Sequence, residues 1–140
     1  MPEDHYEVQR VITAYSLLTG RGDWDPVLAL FTADGAWEIP HLDLKFEGHD
    51  ALRGAFPLLS AELEFVLQQN GPALIAIDGD TATARSTIRE AGKLKGRNES
   101  VEYFGIYADT LVRTAEGWKF RKRVFEAVGT LNFALAAAEH

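Results

Sequence analysis

Near Ser60 the spacing of apolar residues changes from the three-and-four rhythm of helices to the two-residue rhythm of strands. Few folds accept both in that order. Before the change, Val8, Val11, Ile12, Tyr15 and Leu18 form one stripe of a helix over Tyr6–Leu18. Gly20 and Gly22 stop that helix. Asp25 reads as a cap, Pro26 as the first position of a short helix over Val27–Phe31, and Thr32–Gly35 as a closing turn. A brief strand over Ala36–Ile39 ends at Pro40, a loop carries His41, Asp43 and Lys45, and Asp50 caps a third helix over Ala51–Leu59.

After Ser60 the runs Glu64–Leu67, Leu74–Asp78, Thr81–Glu90, Val101–Thr114 and Trp118–Val128 are rich in β-branched and aromatic residues. Asp78-Gly79-Asp80, Lys93–Asn98 and Glu116-Gly117 supply hairpin turns between them. Three long runs joined by tight turns predict an antiparallel meander that twists and curls. Asn70-Gly71-Pro72 breaks or bulges the first strand, and Leu131–Ala138 reads as a short helical tail. Helices followed by a strongly curved antiparallel sheet make an α+β arrangement, and such a sheet can wrap the N-terminal helices on one face and leave an interior pocket. Alternation puts Thr81, Thr83, Arg85, Thr87 and Arg89 on one face, against Ala82, Ala84, Ser86 and Ile88. On the next strand Val101, Tyr103, Tyr107, Asp109 and Leu111 share a face.

A length of 140 residues suits one domain spanning 1–140. The net charge of −7 argues against nucleic acid as partner, because phosphate neutralisation needs a basic footprint. Lys93/Lys95/Arg97 and Arg121/Lys122/Arg123 are read as a turn tip and a charged strand. With no cysteine, no secretory pattern at the N-terminus and no apolar run of membrane-spanning length, the expected setting is cytoplasmic and away from the membrane. His5, His41, His49 and His140 lack paired ligand spacing, so no metal is expected. Gly20-Arg21-Gly22 is not a phosphate-cradling loop, and no cofactor is expected either.

Three segments stand in a familiar order. They are Tyr15…Gly22-Asp23-Trp24-Asp25…Leu30-Phe31-Thr32-Ala33-Asp34-Gly35-Ala36-Trp37, the turn Ile77–Ala82, and Tyr107–Arg113 followed by Gly117-Trp118-Lys119-Phe120 and Arg123. Together they resemble SnoaL-like domains of the nuclear-transport-factor-2-like superfamily across nearly the whole chain. The resemblance implies a cone-shaped domain with a pocket for a small hydrophobic molecule, commonly as a homodimer. Relatives include polyketide cyclases, dehydratases and ketosteroid isomerases. Dehydratase-type relatives move protons with a Tyr and an Asp on the first helix and a His on the third strand. Tyr15 matches the tyrosine, but Gly20 stands where the carboxylate falls and Gln68 where the histidine falls. Glutamine exchanges no proton near neutral pH, so that shuttle is missing.

The expected site therefore has Tyr15 and His41 in catalytic roles. Gln68, Trp37, Arg85, Tyr103, Tyr107 and Arg123 border the substrate. His41 qualifies because an imidazole titrates near neutrality. Arg123 also has a structural reading, as the cross-strand partner of Asp109. The function expected is a cofactor-free lyase, isomerase or cyclase on a small hydrophobic oxygenated molecule. The alternatives are a non-catalytic binder and an accessory subunit similar to the small subunit of ring-hydroxylating dioxygenases.

Overall fold

The computed structural model describes residues 2–136. Helix α1 (Pro2–Thr19) buries Val8, Ile12 and Tyr15, three of the five residues of the apolar stripe. Helix α2 (Trp24–Leu28) begins two residues earlier than its proline implies. Asp25 therefore sits in its first turn and pairs with Arg53 rather than capping. Strand β1 (Phe31–Ile39) absorbs the segment read as a turn: its register with the neighbouring strand slips between Phe31 and Ala36. A single 3-10 turn (Pro40–Leu42) leads to β2 (Leu44–Glu47), so part of the expected loop is strand. Gly48, at φ 90°, takes the cap position of α3 (His49–Ser60) and leaves Asp50 inside the first turn.

Strands β3 (Leu63–Asn70), β4 (Leu74–Asp78), β5 (Thr81–Leu94), β6 (Glu99–Thr114) and β7 (Gly117–Ala134) follow. The sheet order is β2-β1-β7-β6-β5-β3, with β4 pairing β5 beyond the end of β3. The sheet is curved and unclosed. It is also mixed, which corrects the purely antiparallel expectation: β1 runs parallel to β7. A parallel pair needs a long crossover, and everything from α3 to β6 supplies it. The helical tail is corrected too. Glu99–Glu102 at the start of β6 offer partners to Leu131–Ala134, which continue β7 as strand; residues 137 and 138 lie outside the described range.

The helices lie against the concave face, where Tyr15, Phe31, Phe56, Tyr107 and Phe120 meet edge to face or tilted at 5.2–6.3 Å. Burying each such ring contributes about 1.5–3 kcal/mol, so this cluster fixes how α1 and α3 sit on the sheet. A polar chain completes the seam: Ser16 donates to Asn70 Oδ1 at 3.0 Å and Asn70 Nδ2 donates to Ser86 at 2.8 Å. Among the described residues no helix is long and apolar enough to cross a membrane.

Candidate functional site

Strand parity decides which side chains reach the concave face. On β5 the buried series is Ala82, Ala84, Ser86 and Ile88, and the same parity carries Glu90 inward. On β3, Val66, Gln68 and Asn70 turn inward, and on β6 so do Val101, Tyr107, Asp109 and Leu111. Strand β7 would break the pattern without help, because Phe120 and Arg123 have opposite parity. The register shift opposite Thr110 and Leu111 inserts one extra residue, so both point inward and Arg121 and Lys122 point out.

Two adjoining cavities open on this face. The smaller, about 70 Å³, is walled by Tyr15, Trp24, Trp37, Phe56, Val66 and Gln68. The larger, about 320 Å³, is walled by Ile39, His41, Leu42, Tyr103, Tyr107 and Phe125. Trp37, Leu59 and Glu90 belong to both. A site near 300 Å³ is at the lower end for small-molecule pockets, which suits one or two rings. Gly105 helps to shape the larger cavity: a Cβ there would lie 2.5 Å from the Phe125 ring, so only glycine lets that ring lie across β6. The structure thus gathers Tyr15, Trp37, His41, Gln68, Tyr103 and Tyr107.

The other two expected residues lie elsewhere. Arg85 is on the convex face, donating to Glu126 at 2.7 Å, because odd residues of β5 point out. It lines a groove of about 540 Å³ there, with Leu74, Thr83 and Lys122. Arg123 is wholly buried and lines neither cavity. It makes a two-pronged pair with Asp109 at 2.8 and 3.1 Å, as its cross-strand reading predicts. Its guanidinium carbon also stands 3.7 Å from the Tyr107 ring centre and 4.4 Å from that of Tyr15. Arg123 is thus the electrostatic backing of the two tyrosines. His49 is a structural residue: its Nε2–H donates to the Phe31 carbonyl at 3.1 Å.

Both tyrosines keep their protons near neutral pH. Burial, reinforced by Tyr107, pushes the Tyr15 hydroxyl well above the ordinary phenol value. Burial likewise pushes Tyr107 up to about 12, against the opposing pull of Arg123. They can donate hydrogen bonds to a bound oxygen but cannot act as bases.

Glu90 is the residue that sequence reasoning missed. It stands opposite Gln68 on β3 and opposite Tyr103 on β6. Gln68 Nε2 donates to its Oε2 at 2.7 Å, while Gln68 Oε1 and Trp37 Nε1 are buried without partners. Burial raises the Glu90 carboxyl above its ordinary value, and the Gln68 bond only partly offsets this. The signal was present, since the small inward residues of β5 extend by period two to position 90. Among the described residues no three His, Asp or Glu side chains are grouped closely enough to share a metal ion.

The model of the SnoaL-like domain matches residues 2–124. The chain belongs to this family. The uncharacterized protein Rv2910c of Mycobacterium tuberculosis is 27% identical over 129 residues, covering 86% of this chain and 83% of that protein. A proposed aromatic ring hydroxylase from Novosphingobium aromaticivorans superposes with a TM-score of 0.87 at 24% identity, covering 95% of both chains. A proposed scytalone dehydratase from the same species reaches 0.83 at 21%, covering 95% of this chain and 89% of that one. The hexachlorocyclohexane dehydrochlorinase LinA-type3 from Novosphingobium barchaimii reaches 0.81 at 14%, covering 92% and 89%. At these identities the structural likeness is one of fold. Within this SnoaL-like fold, position 20 has no room for a carboxylate: a Cβ on Gly20 would lie 2.9 Å from the Val66 carbonyl oxygen.

Proposed function

We propose that this SnoaL-like chain is a cofactor-free lyase or isomerase, cyclisation included, acting on a small and largely apolar oxygenated molecule. The observation that carries this reading is the pair of adjoining cavities with the protonated Tyr15 in the wall of one and His41 in the wall of the other. In that reading the apolar body of the substrate lies against Ile39, Leu42 and Phe125. Tyr15 donates to its oxygen, Gln68 orients it, and His41 moves a proton at the entrance. Two structural neighbours are named for eliminations, one a dehydratase and one a dehydrochlorinase, which supports this class of chemistry. The reading includes a homodimer, since Leu74 and Val128 leave apolar surface exposed away from the cavities.

The test is to incubate the protein with a panel of one- and two-ring hydroxy-ketones and follow product formation. Tyr15→Phe should lower turnover of the accepted compound by about 100–1,000-fold, the loss of one donor to a developing charge. Unchanged turnover in that variant removes Tyr15 from the chemistry.

A second reading, a non-catalytic binder of the same molecules, is favoured by one observation: no carboxylate fits at Gly20 and an amide stands at Gln68. Native mass spectrometry separates the two, because a binder retains its ligand unchanged.

A further inference from the structure

Glu90 occupies the junction of the two cavities, and among the described residues no other carboxylate lines either of them. We propose that Glu90 is the general base of this pocket, abstracting a proton from a carbon next to a carbonyl in a cyclic ketone. The proposal rests on the lyase or isomerase reading above and names the group that makes it work.

Geometry carries the argument. A carboxylate buried for structural reasons is normally paired with a cation, because the unpaired ion is costly to desolvate. Among the described residues no cation pairs with Glu90. Arg89 is turned to the opposite face by strand parity, where it binds Gln69 and Glu102. Arg123 is occupied by Asp109. The groups that face Glu90 are Tyr15 from α1, His41 from the 3-10 turn, Gln68 from β3, and Tyr103 and Tyr107 from β6. Of these only Gln68 makes a hydrogen bond to it, and through one oxygen. The other oxygen is left for a ligand. Desolvation also makes this carboxylate a stronger base than an exposed glutamate, closer to the pH at which it would work.

The step balances without a further reagent. The C–H bond next to the carbonyl breaks, its proton passes to the free Glu90 oxygen, and its electron pair becomes the enolate. The enolate oxygen accepts a hydrogen bond from Tyr15, which stays protonated. Once the Glu90 proton has been replaced from solvent, its transfer to the same carbon gives exchange; transfer to another carbon gives isomerisation; departure of a β-substituent gives elimination.

The probe is 1-tetralone in deuterium oxide, with loss of its α-proton signal followed by proton NMR and its binding followed by tryptophan fluorescence. The wild type should bind it and speed the exchange saturably. Glu90→Gln should still bind it and lose about 100-fold or more of the exchange rate. The wild-type rate should rise with pH and then level off, since only the ionised carboxylate accepts the proton. Gln68→Leu should move that midpoint upward, because it removes the bond that favours the charged form. This last result keeps the test decisive if Glu90→Gln fails to fold, and a merely structural Glu90 would not produce it. Binding without faster exchange in the wild type overturns the role of Glu90, as does full exchange in Glu90→Gln, and either leaves the pocket reading standing. Failure of the wild type to bind the ketone overturns the pocket reading and the inference with it.

Discussion

Asp109 and Arg123 have both side chains withdrawn from water, and neither lines the two cavities of the concave face. Their contribution is to hold the aromatic cluster, since the guanidinium lies within 4.5 Å of three ring centres, those of Tyr15, Tyr107 and Phe120. Removing one partner leaves a buried charge without compensation. Asp109→Ala should therefore destabilise the fold by about 3–5 kcal/mol, measured by urea unfolding, while the double replacement Asp109→Leu with Arg123→Met should recover most of that loss. Gly20 makes the opposite point, because the residue matters through what it lacks. Gly20→Asp should not restore a family carboxylate; overpacking against the Val66 carbonyl should cost about 1–3 kcal/mol in the same assay.

Strand β7 shows how an element corrects a mismatch in its own sequence. Trp118 and Phe120 follow one parity and Arg123 and Phe125 the other, and the bulge at Arg121 and Lys122 reconciles them. A second shift, between Phe104 and Gly105 of β6, leaves Val128 as the extra residue and bends the strand again. Deleting Arg121 keeps every inward residue inward, so that variant should stay folded with a cooperative thermal transition by circular dichroism. Deleting Lys119 makes Trp118 and Phe120 consecutive, so one of the two must turn outward, and should abolish the transition. At this scale the alternation of β5 was readable from residues 81 to 88, and its extension to Glu90 needed only one further step. The burial of Arg123 was not readable, because a bulge depends on the partner strand. The tail beyond Leu131 was misread for a related reason: its strand state is conferred by Glu99–Glu102, about thirty residues earlier in the chain.

For the molecule as a whole, the curved and unclosed sheet has two faces of different character. The concave side holds the helices and cavities, and the convex side exposes Leu74 at 82% and Val128 at 70%. Such exposure invites association, and the homodimer in our reading would cover it. Light scattering after size exclusion should give twice the chain mass at micromolar concentration. Leu74→Arg should shift that distribution toward the single chain without lowering the unfolding midpoint. A wild type that stays a single chain at all concentrations would remove the dimer from the reading.

What the amino-acid order settled alone was local and periodic. It set the helical stripe of α1, the helix of α3, the long strands with their Gly and Asp turns, and through them the α+β class. Periodicity suffices there because each signal is satisfied by neighbours a few residues away. It also marked Tyr15, Trp37, His41, Gln68, Tyr103 and Tyr107, which the structure distributes over two adjoining cavities. The parallel seating of β1 beside β7, the inward turn of Arg123, the outward placement of Arg85 and the unpaired carboxylate of Glu90 were decided only in three dimensions. Each depends on which distant strand supplies hydrogen-bond partners and which charges lie within reach, and a linear order of side chains does not contain that.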